Sequence, residues 1–474
     1  MKRCVFLFFI LVSSSLAADK PNFVFIMADD LGWSDVGFNG TKFYETPNLD
    51  RICKTGMKFN RAYSGGPNCL PTRACLISGM YTPRTQIWTP GGFSKGNTSF
   101  MKLKVPARGQ KWNSFPSKLE LQPSVTSIAE VLKSAGYTTA RYGKWHVGKD
   151  TQGFDISDPS GKGAEVGKKF YGNIDVHEWL TDASVKFIED NKDKPFFLYL
   201  AHWDVHTPIR ARKDIVKIYD EKLKNGDWQR QWNTTYAAMI HAVDLSVKRV
   251  HDKLVELGLD KNTVFVFTSD NGGHAGVTTS KPLKGAKGAF FEGGVRVPTF
   301  ITWPASIKAG SKCDTPITSV DFLPTFAELS SASLPTNQPV DGTSVVPLMK
   351  GDQLKERSIF WHYPLYLQGT KEGMVVPVHG TENNYWRAVP SSMIVKGEWK
   401  LMHYFEDDSY ELYRPGKDES ESKELSKEFP EITKQLKAEL SKWQADTKAI
   451  IPTEQNENFN SKAKEGKKKK SKKK

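Results

Sequence analysis

Asn22-Phe23-Val24-Phe25-Ile26-Met27-Ala28-Asp29-Asp30-Leu31-Gly32 is the stretch from which the fold can be read. From Asn22 to Met27 the run has no polar face, as expected of a strand covered on both sides by helices. Two carboxylates then follow at once. Outward from this segment the pattern recurs at Thr138 to Tyr142, Pro195 to Ala201, Thr263 to Thr268 and Val297 to Trp303. Helical periodicity fills the intervals, notably over Ser124 to Ser134, His177 to Asn191 and Thr234 to Leu257. Short apolar runs alternating with helices predict an α/β fold, with a large mixed, mostly parallel sheet flanked by helices.

From about Arg357 the character changes. Met393-Ile394-Val395, Trp399-Lys400-Leu401-Met402 and Tyr410-Glu411-Leu412-Tyr413 are short, aromatic-rich and separated by turns. They predict a smaller C-terminal α+β subdomain with an antiparallel sheet, closed by a helix over Pro430 to Asp446. The expected division is a catalytic region at 19–356, the subdomain at 357–451 and a disordered lysine-rich tail at 452–474.

The net charge of +14 suggests a polyanion binder until it is located. Residues Lys462 to Lys474 carry nine lysines against Glu465, and Lys2 and Arg3 add two more charges, which leaves +4 for the rest. The basicity belongs to a tail rather than to a nucleic-acid-binding face. That tail is either solvated or an electrostatic tether to an anionic surface. Residues 1–18 have the layout of a secretory signal: Lys2 and Arg3, the apolar run Val5 to Val12, then Ser13 to Ala18 with small residues. The chain is expected to be secreted or periplasmic, with no transmembrane span. Beyond Cys4, the cysteines Cys53, Cys69, Cys75 and Cys313 are enough for two disulfides but too few for a disulfide framework.

Chemistry gathers after the apolar runs. Asp29 and Asp30 follow the first, Lys144 and His146 the second, His202 and His206 the third, and Asp270, Asn271 and His274 the fourth. In a parallel α/β sheet, ligands bind at the carboxyl ends of strands, so these groups are expected at one site. Asp29, Asp30, Asp270 and Asn271 offer only oxygen, which suits calcium or magnesium rather than zinc. Cys69-Leu70-Pro71-Thr72-Arg73 follows the turn-forming Ser64-Gly65-Gly66-Pro67-Asn68 and leads into a helix-compatible stretch. Cys69 is thus placed near a helix N-terminus, where anions are favoured. An ordinary buried or disulfide-bonded cysteine would have the same local sequence.

These segments, together with Gly143-Lys144-Trp145-His146-Val147-Gly148, Ser269-Asp270-Asn271-Gly272-Gly273 and Lys287-Gly288-Ala289-Phe290-Phe291-Glu292-Gly293-Gly294-Val295-Arg296-Val297-Pro298, resemble the type I sulfatases of the alkaline phosphatase superfamily. The motifs stand in family order and span most of the chain. The resemblance implies that a separate maturation enzyme oxidises Cys69 to formylglycine. It implies one calcium ion held by Asp29, Asp30, Asp270, Asn271 and the modified Cys69. Arg73, Lys144 and Lys287 would surround the sulfate, His146 would contact the aldehyde hydrate, and His206 would lie by the leaving-group oxygen. No family role carries over to His202 or His274, which are expected either to read the substrate or, for His202, to be packed.

A sulfated carbohydrate is the expected substrate, a polysaccharide or a glycosaminoglycan fragment. Specificity is expected in the loops Gln86 to Phe115, Gln152 to Lys169 and Tyr363 to Trp386. A phosphomonoester or phosphonate-ester hydrolase of the same superfamily, or a non-catalytic binder of sulfated glycans, would share much of this pattern.

Overall fold

The computed structural model describes residues 20–90, 97–98, 103–104, 110–113, 115–162, 173–226, 228, 231–368 and 386–460. The signal segment, residues 461–474 of the tail and parts of the three expected specificity loops lie outside these residues. Residues 452–460, expected to be disordered, are instead tied to the body: Trp112 and Gln455 form an antiparallel bridge, and buried Asn456 donates Nδ2 to Gln110 O at 2.8 Å.

Eight strands form the main sheet: β1 (Asn22–Ala28), β2 (Met57–Phe59), β3 (Thr138–Gly143), β4 (Ile156–Asp158), β5 (Phe196–Ala201), β6 (Thr263–Ser269), β7 (Thr299–Thr302) and β8 (Ser311–Cys313). Their spatial order is β8-β2-β7-β6-β1-β5-β3-β4. β1 runs parallel to both β5 and β6, β3 runs parallel to β4 and β5, and β2 to β8. β7 is antiparallel to its neighbours β6 and β2. The expected mixed, mostly parallel sheet is therefore present, with the run near Val297 supplying its reversed strand.

The period of two in β1 explains why the sheet is buried on both faces. Phe23, Phe25 and Met27 point into one core, where Phe23 stacks on Phe326 with ring centroids 4.3 Å apart. That core is covered by α1 (Cys69–Ser78), α2 (Ile128–Ser134) and α5 (Phe322–Ser330). Val24, Ile26 and Ala28 point the other way, against α3 (Val176–Asp190) and α4 (Thr234–Glu256). The helix expected from Ser124 starts later, because Ser127 and Glu130 form a reciprocal capping box that fixes its first turn.

A four-stranded antiparallel sheet follows: β9 (Ser358–Tyr363), β10 (Ser391–Lys396), β11 (Trp399–Tyr404) and β12 (Ser409–Tyr413). α6 (Pro430–Asp446) packs on it. A third apolar cluster joins this sheet to Tyr63, Cys75 and Phe291 of the larger part. Within that interface lies a sealed ionic strut. Lys400 Nζ is 3.0 Å from Glu292 Oε1 and 2.8 Å from Glu421 Oε1, with all three side chains fully buried. Tyr63 donates its hydroxyl to Glu292 at 3.1 Å.

The disulfides allowed by cysteine count do not form. Cys53, Cys69, Cys75 and Cys313 are all free and buried.

Candidate active site

Cys69 is the first residue of α1, one turn earlier than the helical run around Arg73 suggested. Pro71 does not prevent this, since the first-turn N–H groups of a helix have no intrahelical acceptor and a missing one costs nothing. The preceding turn is tied down on all sides. Gly66 N donates to Thr72 Oγ1 at 3.1 Å while that hydroxyl donates back to Gly66 O at 2.9 Å. Trp361 Nε1 donates to Ser64 O at 2.8 Å, and Gly288 N to Pro67 O at 2.8 Å. The thiol is thereby held at the carboxyl edge of the sheet, 3.5 Å from Asp29 Oδ1 and 3.8 Å from Asp30 Oδ1.

Each remaining group reaches the same point from a strand end. Asp29 and Asp30 extend β1, and Asp30 takes a left-handed φ of 65°. Lys144 follows β3, its N–H donating to Ala201 O at 2.8 Å, and its Nζ pairs with Asp29 Oδ2. His146, two residues on, also has a left-handed φ, 68°. Left-handed backbone at non-glycine residues is uncommon and collects where a site fixes side-chain aim. Asp270 and Asn271 follow β6. Arg73 grips Asp270 Oδ2 through Nε at 3.0 Å and Nη2 at 2.7 Å, and gives Nη1 to Lys144 O at 2.6 Å.

Lys287 arrives on the long excursion between β6 and β7. Its Nζ pairs with Asp30 Oδ1 and lies 3.2 Å from Cys69 Sγ. That excursion folds tightly on itself: a Cβ on Gly272 would lie 1.9 Å from Gly293 O, and one on Gly294 2.0 Å from Ala289 O. Only glycine allows such an approach.

The electrostatics follow from burial and charge balance. Burial pushes the Asp29 carboxyl up to about 8 against the pull of Lys144, with Asp270 and Cys69 adding to the rise. Asp30 goes the other way: despite burial, Lys287 and His206 hold it far below the usual carboxylate range. Burial also acts against ionisation of the Cys69 thiol, but Lys144 and Lys287 outweigh it and bring the thiol down to about 7. Burial would lower His206, yet Asp29 and Asp30 raise it to about 9. His146 falls to about 3 through burial and the adjacent Lys144 and Arg73. The site therefore holds an imidazolium at position 206 and a neutral imidazole at position 146 near pH 7.

The residues present fit a hard cation. Asp29, Asp30 and Cys69 each offer one ligand atom, and these lie within 4.8 Å of one another and of the His206 ring, which as an imidazolium stands beside the ion position rather than holding it. Asp30 Oδ2 and Asn271 Oδ1 are buried and accept no hydrogen bond. Oxygen atoms left without donors among crowded carboxylates are what calcium or magnesium takes up. Asp270 differs from expectation in one respect: Oδ2 is held by Arg73 and Oδ1 accepts from Asp30 N at 3.1 Å.

Of the two unassigned histidines, His274 faces the site. It is partly exposed, and Asp30, Arg387, Lys287 and His206 are its charged neighbours, with burial lowering it to about 4. His202 does not reach the site. It is fully buried and its Nε2 meets Ser246 Oγ of α4 at 3.2 Å, so the packed alternative holds and a substrate-reading role does not.

Sequence reasoning missed several supporting groups. Arg387 donates Nη1 to Lys287 O at 3.0 Å, and nothing in its local sequence signals this. Asp35 accepts from Tyr236 and Thr278 at 2.8 Å each, while the Tyr236 hydroxyl also reaches Asp30 O at 3.3 Å. Asp204 accepts the Asp29 N–H on its carbonyl at 2.9 Å, and its place between His202 and His206 was an available signal.

Residues 21–332 match the family model described as Sulfatase, and residues 286–446 match that described as N-sulphoglucosamine sulphohydrolase, C-terminal. A sulfatase of Formosa agariphila is 30% identical, with 90% of this chain and 89% of that protein covered. The N-acetylgalactosamine-6-sulfatase of Mus musculus is 29% identical over 78% of this chain and 74% of its own. The crystal structure of Ps i-CgsB in complex with k-i-k-neocarrahexaose superposes with a TM-score of 0.71 at 28% identity, covering 92% of this chain and 95% of that one.

Proposed function

The chain belongs to the sulfatase family of sulfuric ester hydrolases, and from that premise we propose that it removes sulfate from a sulfated carbohydrate through a formylglycine made from Cys69. The observation that carries this reading is the position of Cys69 Sγ. It is the first residue of a buried helix, 3.2 Å from Lys287 Nζ and beside both Asp29 and Asp30. The carbohydrate class is supported by the relatives, one an N-acetylgalactosamine-6-sulfatase and one in complex with a neocarrahexaose.

As encoded, position 69 is only a thiol, and a maturation enzyme that reads Cys69-Leu70-Pro71-Thr72-Arg73 has to oxidise it. Once oxidised and hydrated, position 69 would offer one oxygen toward sulfur and a second hydroxyl for release of the sulfate. Asp29, Asp30, Asp270, Asn271 and position 69 would hold one calcium, which would supply Lewis-acid polarisation of the sulfate. Arg73, Lys144 and Lys287 present fixed positive charge where negative charge grows on the sulfuryl oxygens. Lys144 and Lys287 are salt-bridged to Asp29 and Asp30, so they need little reorganisation during the reaction. His206, charged near pH 7, donates a proton to the leaving alcohol, and neutral His146 accepts one from the hydrate. His274 and Arg387 border the substrate.

Residues 1–18 would direct the chain out of the cytoplasm. Among the described residues no helix is long and apolar enough to cross a membrane. We place the domain boundary between residues 356 and 357.

The test is turnover of 4-nitrophenyl sulfate and 4-nitrophenyl phosphate by enzyme co-produced with a maturation enzyme, with mass spectrometry of the Cys69 peptide. Aldehyde at position 69 with faster sulfate turnover supports the reading. Faster phosphate turnover would make the chain a phosphoester hydrolase, and an unmodified thiol in natively produced protein would make it a glycan binder.

A further inference from the structure

A second pocket lies at the same sheet edge. It is enclosed by the first turn of α3, the N-terminal half of α4 and the loop that runs on from His206, and its volume is about 110 Å³. Its polar lining is Asp204, His177, His241 and Arg210 together with Glu178 and Arg212, which pair with each other at 3.7 Å, and Ile215 and Met239 contribute apolar wall. The catalytic mechanism uses none of these side chains.

Asp204 is the informative residue. It is only 7% exposed, it belongs to this lining, and its Oδ2 is buried with no hydrogen-bond partner. His177 Nδ1 stands 3.8 Å away, beyond hydrogen-bonding reach. A buried carboxylate oxygen without a donor is costly unless something entering the pocket supplies one. The charges around the mouth restrict what that is. Arg212 is engaged by Asp214 at 2.8 Å and Glu178 at 3.7 Å. Arg210 is exposed and makes no ion pair among the described residues. An unpaired guanidinium at the rim repels a cationic donor and favours an anionic group. His241 meets Tyr219 OH through Nδ1 at 3.3 Å, which leaves Nε2 for a ligand. Apolar wall suits the C–H face of a sugar ring.

We propose that this pocket binds one acidic pyranose unit, with Asp204 and His177 taking ring hydroxyls and Arg210 meeting a carboxylate or sulfate substituent. The proposal rests on the carbohydrate reading above for the source of that unit. It adds a second saccharide site beside the catalytic one. Because the Asp204 carbonyl receives the Asp29 N–H and Asp29 O receives the Val205 N–H at 2.8 Å, the strand end carrying Asp204 is anchored to the catalytic carboxylates. The pocket and the catalytic site share one loop, which carries Asp204 of the one and His206 of the other.

Saturation-transfer NMR on the full chain tests this with D-galacturonate, D-galactose 6-sulfate and neutral D-galactose as probes. The two acidic sugars separate carboxylate from sulfate recognition. At least one is expected to bind about tenfold more tightly than galactose. Asp204→Asn should weaken all binding about tenfold, and Arg210→Ala should reduce the acidic sugars to the level of galactose. No binding of any sugar, or binding unchanged in both variants, overturns the proposal. If Asp204→Asn lowers the melting temperature, the exposed Arg210→Ala decides alone. Turnover of 4-nitrophenyl sulfate by the same wild-type preparation keeps the two readings apart. Turnover without sugar binding sinks the pocket only, and sugar binding without turnover of any sulfate ester sinks the catalytic reading only.

Discussion

Replacing Lys400 by methionine removes the central cation from the strut that joins the two sheets, leaving its shape nearly intact and leaving Arg296, 3.8 Å from Glu292, in place. In the native protein that ammonium sits 3.0 Å from Glu292 and 2.8 Å from Glu421, with no exposed surface on any of the three. Glu292 keeps the Tyr63 hydroxyl and Glu421 keeps the Glu292 N–H at 2.7 Å, but neither neutralises a charge. The variant therefore has to bind one more proton than the wild type in order to fold. Burial already pushes Glu421 up to about 7 even with Lys400 beside it. The wild type therefore already carries most of the protonation cost up to pH 7, and the extra deficit of the variant grows above that by about 1.4 kcal/mol per pH unit, reaching about 2 kcal/mol at pH 8.5. For a chain of this length the unfolding entropy is about 1 kcal/mol/K, so Tm should fall by about 2 °C at pH 8.5. The sign with pH is fixed: the deficit needs a proton that the wild type gives up near pH 7, so it grows as pH rises through 7 and nearly vanishes below pH 6. Melting curves of both proteins from pH 5 to 8.5 measure it, and adding Glu421→Gln should recover part of the loss at pH 8.5. A Tm within 1 °C of wild type at pH 8.5, or a difference that does not change with pH, would refute the reasoning.

Four further outcomes are expected. His206→Ala should lower turnover by about 10²–10⁴-fold on a sugar sulfate, and less on 4-nitrophenyl sulfate, whose leaving group needs little protonation; equal losses on both would remove the general-acid role. Chelation of divalent metal should abolish turnover and lower Tm, with calcium restoring both; at a hundredfold excess over Kd, binding stabilises by about 2.7 kcal/mol, and a Tm unchanged by chelator would show that no metal is held. Cys69→Ala should abolish turnover while the far-ultraviolet circular dichroism stays native, since substantial residual turnover would place the nucleophile elsewhere. Glu406, which accepts the Tyr366 hydroxyl at 2.6 Å, is pushed up to about 7 by burial, so the stability its neutral form contributes is present below about 4.5 and lost as pH rises through 7. Glu406→Gln should therefore raise Tm at pH 8 by about 2–3 °C and leave it unchanged at pH 4.5.

The main sheet was legible because β1, β5 and β6 are buried on both faces, which clears most polar residues from the run and leaves functional ones directly after it; β3, which carries Thr138, Thr139 and Arg141, was legible mainly through Lys144 and His146 beyond its end. The reversal of β7 was not legible. Its side chains are as apolar as those of its parallel neighbours, and strand direction is set by pairing rather than composition. Cys69, Arg73, Lys144 and Lys287 were legible as pieces of motifs, and the structure brings them together. His202 stayed open between two readings because a histidine after a strand has the same sequence signature whether it turns toward the cleft or, as here, under α4. Arg387 and Lys400 were out of reach: they act across 100 and 108 residues of chain, on groups that give no local sign of needing a partner.

The reversal of β7 has a consequence for how the site is held. A parallel successor to β6 would oblige the chain to walk back to the opposite edge of the sheet before re-entering it. With β7 antiparallel, the segment from Asp270 to Pro298 leaves and returns at the same rim. All of it is free to serve that rim, and Asp270, Asn271, His274 and Lys287 are carried by this one excursion. Because both of its ends are anchored in β6 and β7, added length at its outer turns costs little loop entropy and does not disturb the register of the sheet. The rim can thus be remodelled for a different substrate without refolding the scaffold beneath it.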